Sequence, residues 1–297
     1  MELPAASSLA AQAVSGLTTA MVLFLVASGL SLIFGVLRLL NFAHGSFYML
    51  GAYFAWQYSA WLGPGNAQFW LAITLAALTT ALLGALLERL LFARFYDRPE
   101  LMQLLFTYSI VLIVSDAVKY IWGTQQLGVR RPAALSHSFS FGEVVLPSYN
   151  LMVILVSLGI AVGIWLLLRS TRLGKMVRAA ALDREMLSML GVDVRGIYLL
   201  VFSVGCFLAG LAGALVAPLS AVVPGMDAEI IISLFIVVVI GGLGSFWGTF
   251  LGAIIYGMVF SFGILFIPQF SLFAVALIMA VILIIRPQGL LGRANSR

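Results

Sequence analysis

Long stretches of this chain carry no charged residue, and that restricts its fold more than any other feature. No Asp, Glu, Lys or Arg occurs from Leu3 to Leu37, Leu39 to Leu87, Val144 to Leu168, Gly196 to Met226, or Ile230 to Ile285. A bilayer-crossing helix needs about 20 apolar residues, so the longest run holds two or three crossings. Charged residues make up 9% of the 297 and hydrophobic ones 63%, whereas an ordinary soluble domain is roughly one-quarter charged. The surplus apolar surface faces lipid, where a helix satisfies its own backbone hydrogen bonds. The expected fold is all-α: a polytopic transmembrane helical bundle, one domain over residues 1–297. The start lacks a basic segment ahead of its apolar stretch, so no cleaved signal peptide is expected. The single cysteine, Cys206, sits among small residues in a predicted span and reads as a packing residue.

Most of the 16 Lys and Arg residues fall in three short segments. The first, Glu88–Glu100, holds Arg89, Arg94 and Arg98. The second, Arg169–Arg195, holds Arg169, Arg172, Lys175, Arg178, Arg184 and Arg195. The third is the tail, with Arg286, Arg293 and Arg297. Short basic loops stay cytoplasmic, so the three belong on one side, and the net positive charge marks topology rather than nucleic-acid binding. Spans are predicted near Ala13–Gly35, Gly45–Trp61, Phe69–Leu87, Leu101–Trp122, Leu151–Leu168, Ile197–Ala217, Ile230–Gly241, Phe246–Phe266 and Phe270–Ile285. That makes about nine crossings, with Glu2 and the N-terminus outside and the C-terminus inside. If Asn41–Gly45 interrupts one helix, the count falls to about eight and the N-terminus moves inside. The outer side then carries Gly123–Asn150, with Arg130, Arg131, His137 and Glu143, and a Pro218–Glu229 connection holding Asp227 and Glu229.

Two polar or glycine-rich segments interrupt the apolar pattern. Non-helical backbone at membrane depth must be buried or line a cavity, and transporters build solute sites from such breaks. The first is Asn41-Phe42-Ala43-His44-Gly45-Ser46. Asn, His and Ser are costly in hydrocarbon unless paired, and the alternative is a polar turn at the surface after Arg38. The second is Gly241-Gly242-Leu243-Gly244-Ser245, followed by Gly248 and Gly252, a spacing that also serves plain helix packing. Gly45-Ser46-Phe47 resembles Gly244-Ser245-Phe246, which hints at an internal repeat with a solute path between its halves. His44 reads as a neutral hydrogen-bonding group, and no metal site is expected. Asp116 and Lys119, three apart on one helix, are placed to pair with each other.

Ion-coupled carriers need buried acids, and these are scarce here. No nucleotide-binding motif is present either, so energy is expected from a partner. The basic stretch Thr171–Arg195 supplies a docking element. Ala180, Met186, Leu187 and Leu190 form an apolar stripe, Asp183, Arg184 and Glu185 begin a polar face, and Gly191 stops the helix. An amphipathic helix over Arg178–Asp193 suits a groove on a partner, with Leu187 and Leu190 filling the groove and Asp183 and Glu185 at its rim.

These motifs, taken in order, resemble the LivH-type permeases of branched-chain amino-acid ABC importers, over essentially the whole chain. The resemblance is carried by Asn41–Gly45, by Glu88-Arg89 with Arg98-Pro99, and by Arg178–Asp183 continuing through Leu190–Asp193. Gly241–Ser245 and Pro287–Arg293 complete it. It implies a permease without enzymatic activity in the bacterial inner membrane. A second homologous permease, two cytoplasmic ATPase subunits that hold ATP and Mg, and a periplasmic solute-binding protein are its implied partners. It implies no cofactor in this chain and leaves open which of leucine-type amino acids, other amino acids, amides, urea or aromatic acids is carried. A channel or ion-coupled secondary transporter is the rival class, and lacks a filter or energy source in this sequence. An intramembrane enzyme is weaker still, because no second group is spaced to work with His44.

Overall fold

The uncharged runs fold as helices. The computed structural model describes residues 6–141 and 144–292, so Glu2, Glu143, Arg293 and Arg297 lie outside the described residues. In chain order the helices are α1 (Ala6–Leu37), α2 (His44–Leu62), α3 (Asn66–Leu90), α4 (Glu100–Trp122), α5 (Ser148–Ser170), α6 (Arg172–Leu182), α7 (Arg184–Met189), α8 (Val194–Val216), α9 (Met226–Gly241), α10 (Phe246–Phe266) and α11 (Ser271–Ile285). All but α6 and α7 run through the bundle, which makes nine. A small antiparallel hairpin, β1 (Ser138–Phe141) and β2 (Val144–Pro147), lies between α4 and α5, with Phe139 opposite Leu146. The break lies at residues 38–43 and separates two helices, α1 and α2.

Seven of the nine are long and apolar enough to cross a membrane. The other two are α9, with 16 residues, and α2, which carries His44, Gln57 and several tyrosines. Protein rather than lipid surrounds the first half of α2, where every residue from His44 to Tyr53 is buried. α1 is apolar on all sides, the pattern of a helix enclosed by others, and Ala20 through Ala27 are all buried. At the rim, α4, α5 and α11 leave Ile113, Leu155 and Ile284 bare, as lipid-facing residues would be.

The two ends of the bundle differ in chemistry. One gathers the turn at residues 63–65, the segment between α4 and α5, and the stretch after α8. There Asn66 Oδ1 accepts from Ala134 N at 3.3 Å and Arg131 Nε donates to the Pro218 carbonyl at 3.1 Å. Gln12, near the start of α1, bonds Ser261 near the end of α10, so the chain begins at this end. The other end carries the basic segments. Arg184 of the second segment pairs with Asp97 of the first at 3.0 Å. Arg286 follows α11 at the same end, where Leu290 N and Leu291 N donate to the Ile240 and Gly241 carbonyls at 2.9 and 3.0 Å. The expected Asp116–Lys119 pair forms on α4, exposed, at 3.1 Å.

Glycine lets the central helices touch backbone to backbone. Gly29 of α1 faces Gly205 of α8, Gly16 faces Gly257 of α10, and Gly51 of α2 faces Gly210 of α8. Cys206 packs against Gly84 of α3, buried and unpaired. Lipid gives no hydrophobic drive between helices, so this close van der Waals contact holds them together. A side chain at Gly51 would overlap the Gly210 carbonyl, whereas Gly159 on α5 has nothing within 4 Å. Gly51→Val is therefore expected to destabilise the bundle by about 1–3 kcal/mol. The check is thermal unfolding of the purified protein in detergent, where Gly159→Val should melt with the wild type.

Candidate functional site

The first break turns the chain back into the bundle. Arg38 takes a positive φ of 53°, uncommon for a residue with a side chain. His44 Nε2–H then donates to the Val26 carbonyl at 2.9 Å. Val26 lies 11 residues before the end of α1, or about 16 Å along it at 1.5 Å per residue. Asn41, His44 and Ser46 are all buried, so this segment is not a surface turn. The bond to a carbonyl fixes Nε2 as the protonated ring nitrogen. Nδ1 of His44, both ends of the Asn41 amide and Tyr53 Oη have no partner.

α9 supplies what the sequence placed elsewhere. Asp227 and Glu229 do not sit in an outer connection; both belong to the first turn of α9. Gly225, at φ 98°, turns the chain so that α9 starts against α2. Asp227 is 3% exposed and accepts from Ser46 Oγ at 3.2 Å. A Cβ on Gly45 would lie 2.6 Å from the Asp227 carbonyl, so glycine there permits the contact. The signal for this was present in Pro224-Gly225 followed by two acids, a helix-start pattern, since acids are favoured at a helix N-terminus.

A cavity of about 690 Å³ opens between α1, α2, α9 and α10, walled also by residues after α8. Thr18, Val22 and Leu23 come from α1, Tyr48 from α2, Glu229, Ile230 and Ser233 from α9, and Tyr256 and Phe260 from α10. Ser233 Oγ and Tyr256 Oη share a hydrogen bond of 2.7 Å on its wall. This volume, with mostly apolar walls and a few polar groups, is that of a small-molecule site.

Gly241, Gly242, Gly244 and Ser245 do not line that cavity. They form the turn between α9 and α10, with Gly242 and Gly244 at φ 101° and 78°. Ser245 Oγ caps α10 by accepting from Gly248 N at 3.1 Å. This turn packs on Gly35 and on the tail near Gly289 and Gly292. Gly244 thus packs three residues ahead of Arg38, where the first break begins. The shared tripeptide is out of register: Gly45 is inside α2, whereas Gly244 precedes α10.

The basic loop forms two helices rather than one. Asp183 separates them, and its Oδ1 accepts from Glu185 N and Met186 N at 3.0 and 2.9 Å, capping α7. Gly191 ends the element at φ 79°. Ala180 and Leu187 are buried against their own chain, which corrects their expected place in a partner's groove. Met189 and Leu190 are 82% and 73% exposed, beside the bare Leu182 and Met186. Arg178 and Glu185 are exposed as well. Nearby, Tyr96 Oη donates to Glu88 Oε1 at 2.6 Å; burial, reinforced by that carboxylate, pushes the Tyr96 hydroxyl up and keeps it a donor.

Comparison with known proteins places the chain. The family described as "Branched-chain amino acid transport system / permease component" matches residues 12–286. The high-affinity branched-chain amino acid transport system permease protein BraD of Pseudomonas aeruginosa is 29% identical, covering 95% of this chain and 95% of its own length. LivH of Escherichia coli is 24% identical over the same shares. LivM of the same bacterium, also named a permease protein of that system, is 28% identical over 92% of this chain and 68% of its own length. No solved structure matches.

Valine at Gly45 would force α2 away from α9 at the Ser46–Asp227 contact. Gly45→Val is expected to reach the membrane at normal abundance and to lose at least about 90% of solute uptake, a barrier of ~1.4 kcal/mol or more. Uptake per molecule at the wild-type level would show that the contact is idle.

Proposed function

The chain belongs to the family of branched-chain amino acid transport permease components, and we propose that it is one of two permeases in a bacterial inner-membrane importer for branched-chain or related amino acids. It is a transport subunit and not an enzyme. The second permease is a homologue, as LivM is to LivH in the bacterium that holds both. A periplasmic binding protein delivers solute at the end that bears the hairpin. Two ATPase subunits, which hold ATP and Mg, act at the basic end, where the C-terminus is cytoplasmic.

The cavity of about 690 Å³ carries this reading. It has room for one aliphatic amino acid, and Tyr48, about one turn beyond His44 on α2, lines it, whereas Asn41, His44, Gly45 and Ser46 do not. Asn41, His44, Gly45 and Ser46 border the solute path in this reading. Gly241, Gly242, Gly244 and Ser245 support it from the far side by holding α9 and α10 together.

Energy enters through α6 and α7. Leu182, Met186, Met189 and Leu190 are bare apolar residues at the end of the bundle that carries the basic segments. Lipid does not cover that end, so a protein groove does. Arg178 and Glu185 lie at its rim, where single charges contribute ~1 kcal/mol or less. Leu190→Asp would bury an unpaired carboxylate in that groove. It is expected to weaken ATPase assembly about tenfold or more, or ~1.4 kcal/mol, and to lower solute-stimulated ATP hydrolysis with it. Leu187→Asp should instead reduce the abundance of the chain itself, because Leu187 is internal. Co-purification with the ATPases and a hydrolysis assay check both; normal values for Leu190→Asp would reduce the loop to a topological anchor.

A further inference from the structure

Among the polar side chains of the cavity wall without a partner are those of Tyr48 and Glu229. Tyr48 is 5% exposed and lines the cavity, and its hydroxyl has no hydrogen bond among the described residues. Glu229 lines the same cavity and is exposed. No Lys, Arg or His lines the cavity, and Glu229 is the one carboxylic acid in its lining. Asp227 is two residues away, buried, with only the Ser46 hydroxyl donating to it.

A cavity with one sign of charge and low-dielectric walls concentrates ions of the other sign. A primary ammonium has three N–H donors and no acceptor. A carboxylate and a phenol oxygen side by side meet that requirement, and the ion pair strengthens the hydrogen bonds. Val22, Leu23, Ile230 and Phe260 offer an aliphatic side chain its contacts. The solute's own carboxylate finds no cation in the cavity, so it turns toward the opening.

We propose that Glu229 and Tyr48 form the subsite for the cationic amine of the transported solute, with Asp227 behind them as a second carboxylate. This rests on the importer reading and narrows it. Amines are accepted, while urea, neutral amides and acids without an amine are refused.

The test is direct binding to the full chain in lipid nanodiscs, followed by intrinsic tryptophan fluorescence. The probes are leucine, leucinol, which keeps the amine and lacks the carboxylate, and 4-methylpentanoate, which keeps the carboxylate and lacks the amine. Leucine and leucinol should bind, and 4-methylpentanoate should bind about tenfold more weakly or not at all. Glu229→Gln and Tyr48→Phe should each weaken leucine, and Glu229→Asp should retain most of the binding. Equal binding of 4-methylpentanoate and leucine overturns the subsite, as do unchanged affinity in Glu229→Gln and absence of any leucine binding. Leucine binding matched by 4-methylpentanoate and dependent on sodium would assign the acids to a metal cation and overturn it too. ATP-driven uptake by the assembled complex is the separate readout for the importer. Amine-selective binding without such uptake sinks the importer reading alone, and uptake without amine selectivity sinks the subsite alone.

Discussion

Backbone that leaves helical geometry inside a bilayer has to be enclosed by protein, and residues 38 to 43 impose that demand on this chain. Their amides cannot face lipid, where an unsatisfied polar group costs several kcal/mol. The bundle answers by wrapping the re-entrant stretch with α1, α8 and α9. α1 is longer than a bilayer needs, which lets it flank the break as well as the outer half. Gly29 and Gly51 bring α1 and α2 into close backbone contact with α8 at Gly205 and Gly210. The shortness of α9 and the polar character of α2 follow from the same enclosure, since neither needs a lipid-facing coat.

Once α2 begins inside the protein, a carboxylate can too. Asp227 sits in the first turn of α9, where the helix N-terminus favours negative charge, and Ser46 reaches it only because Gly45 has no side chain. A bare carboxylate on a lipid-facing helix would be expelled or neutralised. Here the break, the glycine and the helix terminus make a buried acid tolerable, and the cavity forms beside it. Structural cost and binding chemistry are thus met by the same few residues.

What could be read in the sequence was whatever depends on local order. The uncharged runs predicted the spans, and the basic segments predicted a common end, seen directly in the Arg184–Asp97 pair. Contacts between distant residues were not legible. Ser46 and Asp227 are 181 positions apart, and no local pattern announces that they meet. The apolar stripe of the basic loop was visible, yet periodicity does not tell whether a face packs on its own chain or on another. Ala180 and Leu187 turned inward, and Met189 and Leu190 outward, because α6 and α7 fold back against α1 and α8. The repeated Gly-Ser-Phe falls at different registers, inside α2 and just before α10, because small residues at helix starts recur for capping and close approach.

A series of contacts connects the basic end with the cavity, from an exposed ion pair at the surface to close helix packing in the interior. Arg184 on α7 is tied to Asp97, and the adjoining Tyr96 is tied to Glu88 on α3 and stacked edge-on against Tyr198 on α8. Gln103 locks this loop by donating to the Phe95, Tyr96 and Arg98 carbonyls. Above it, α3 and α8 meet at Gly84 and Cys206 and at Thr80 and Gly210, with no flexible side chain between them. α8 then presses on α2 through Gly210 and Gly213, against Gly51 and the Tyr48 carbonyl. A packed interior is stiff, so such interfaces shift between discrete arrangements instead of deforming smoothly. Packed contacts of this kind run from the α3–α8 interface to the backbone of Tyr48, a residue that lines the cavity.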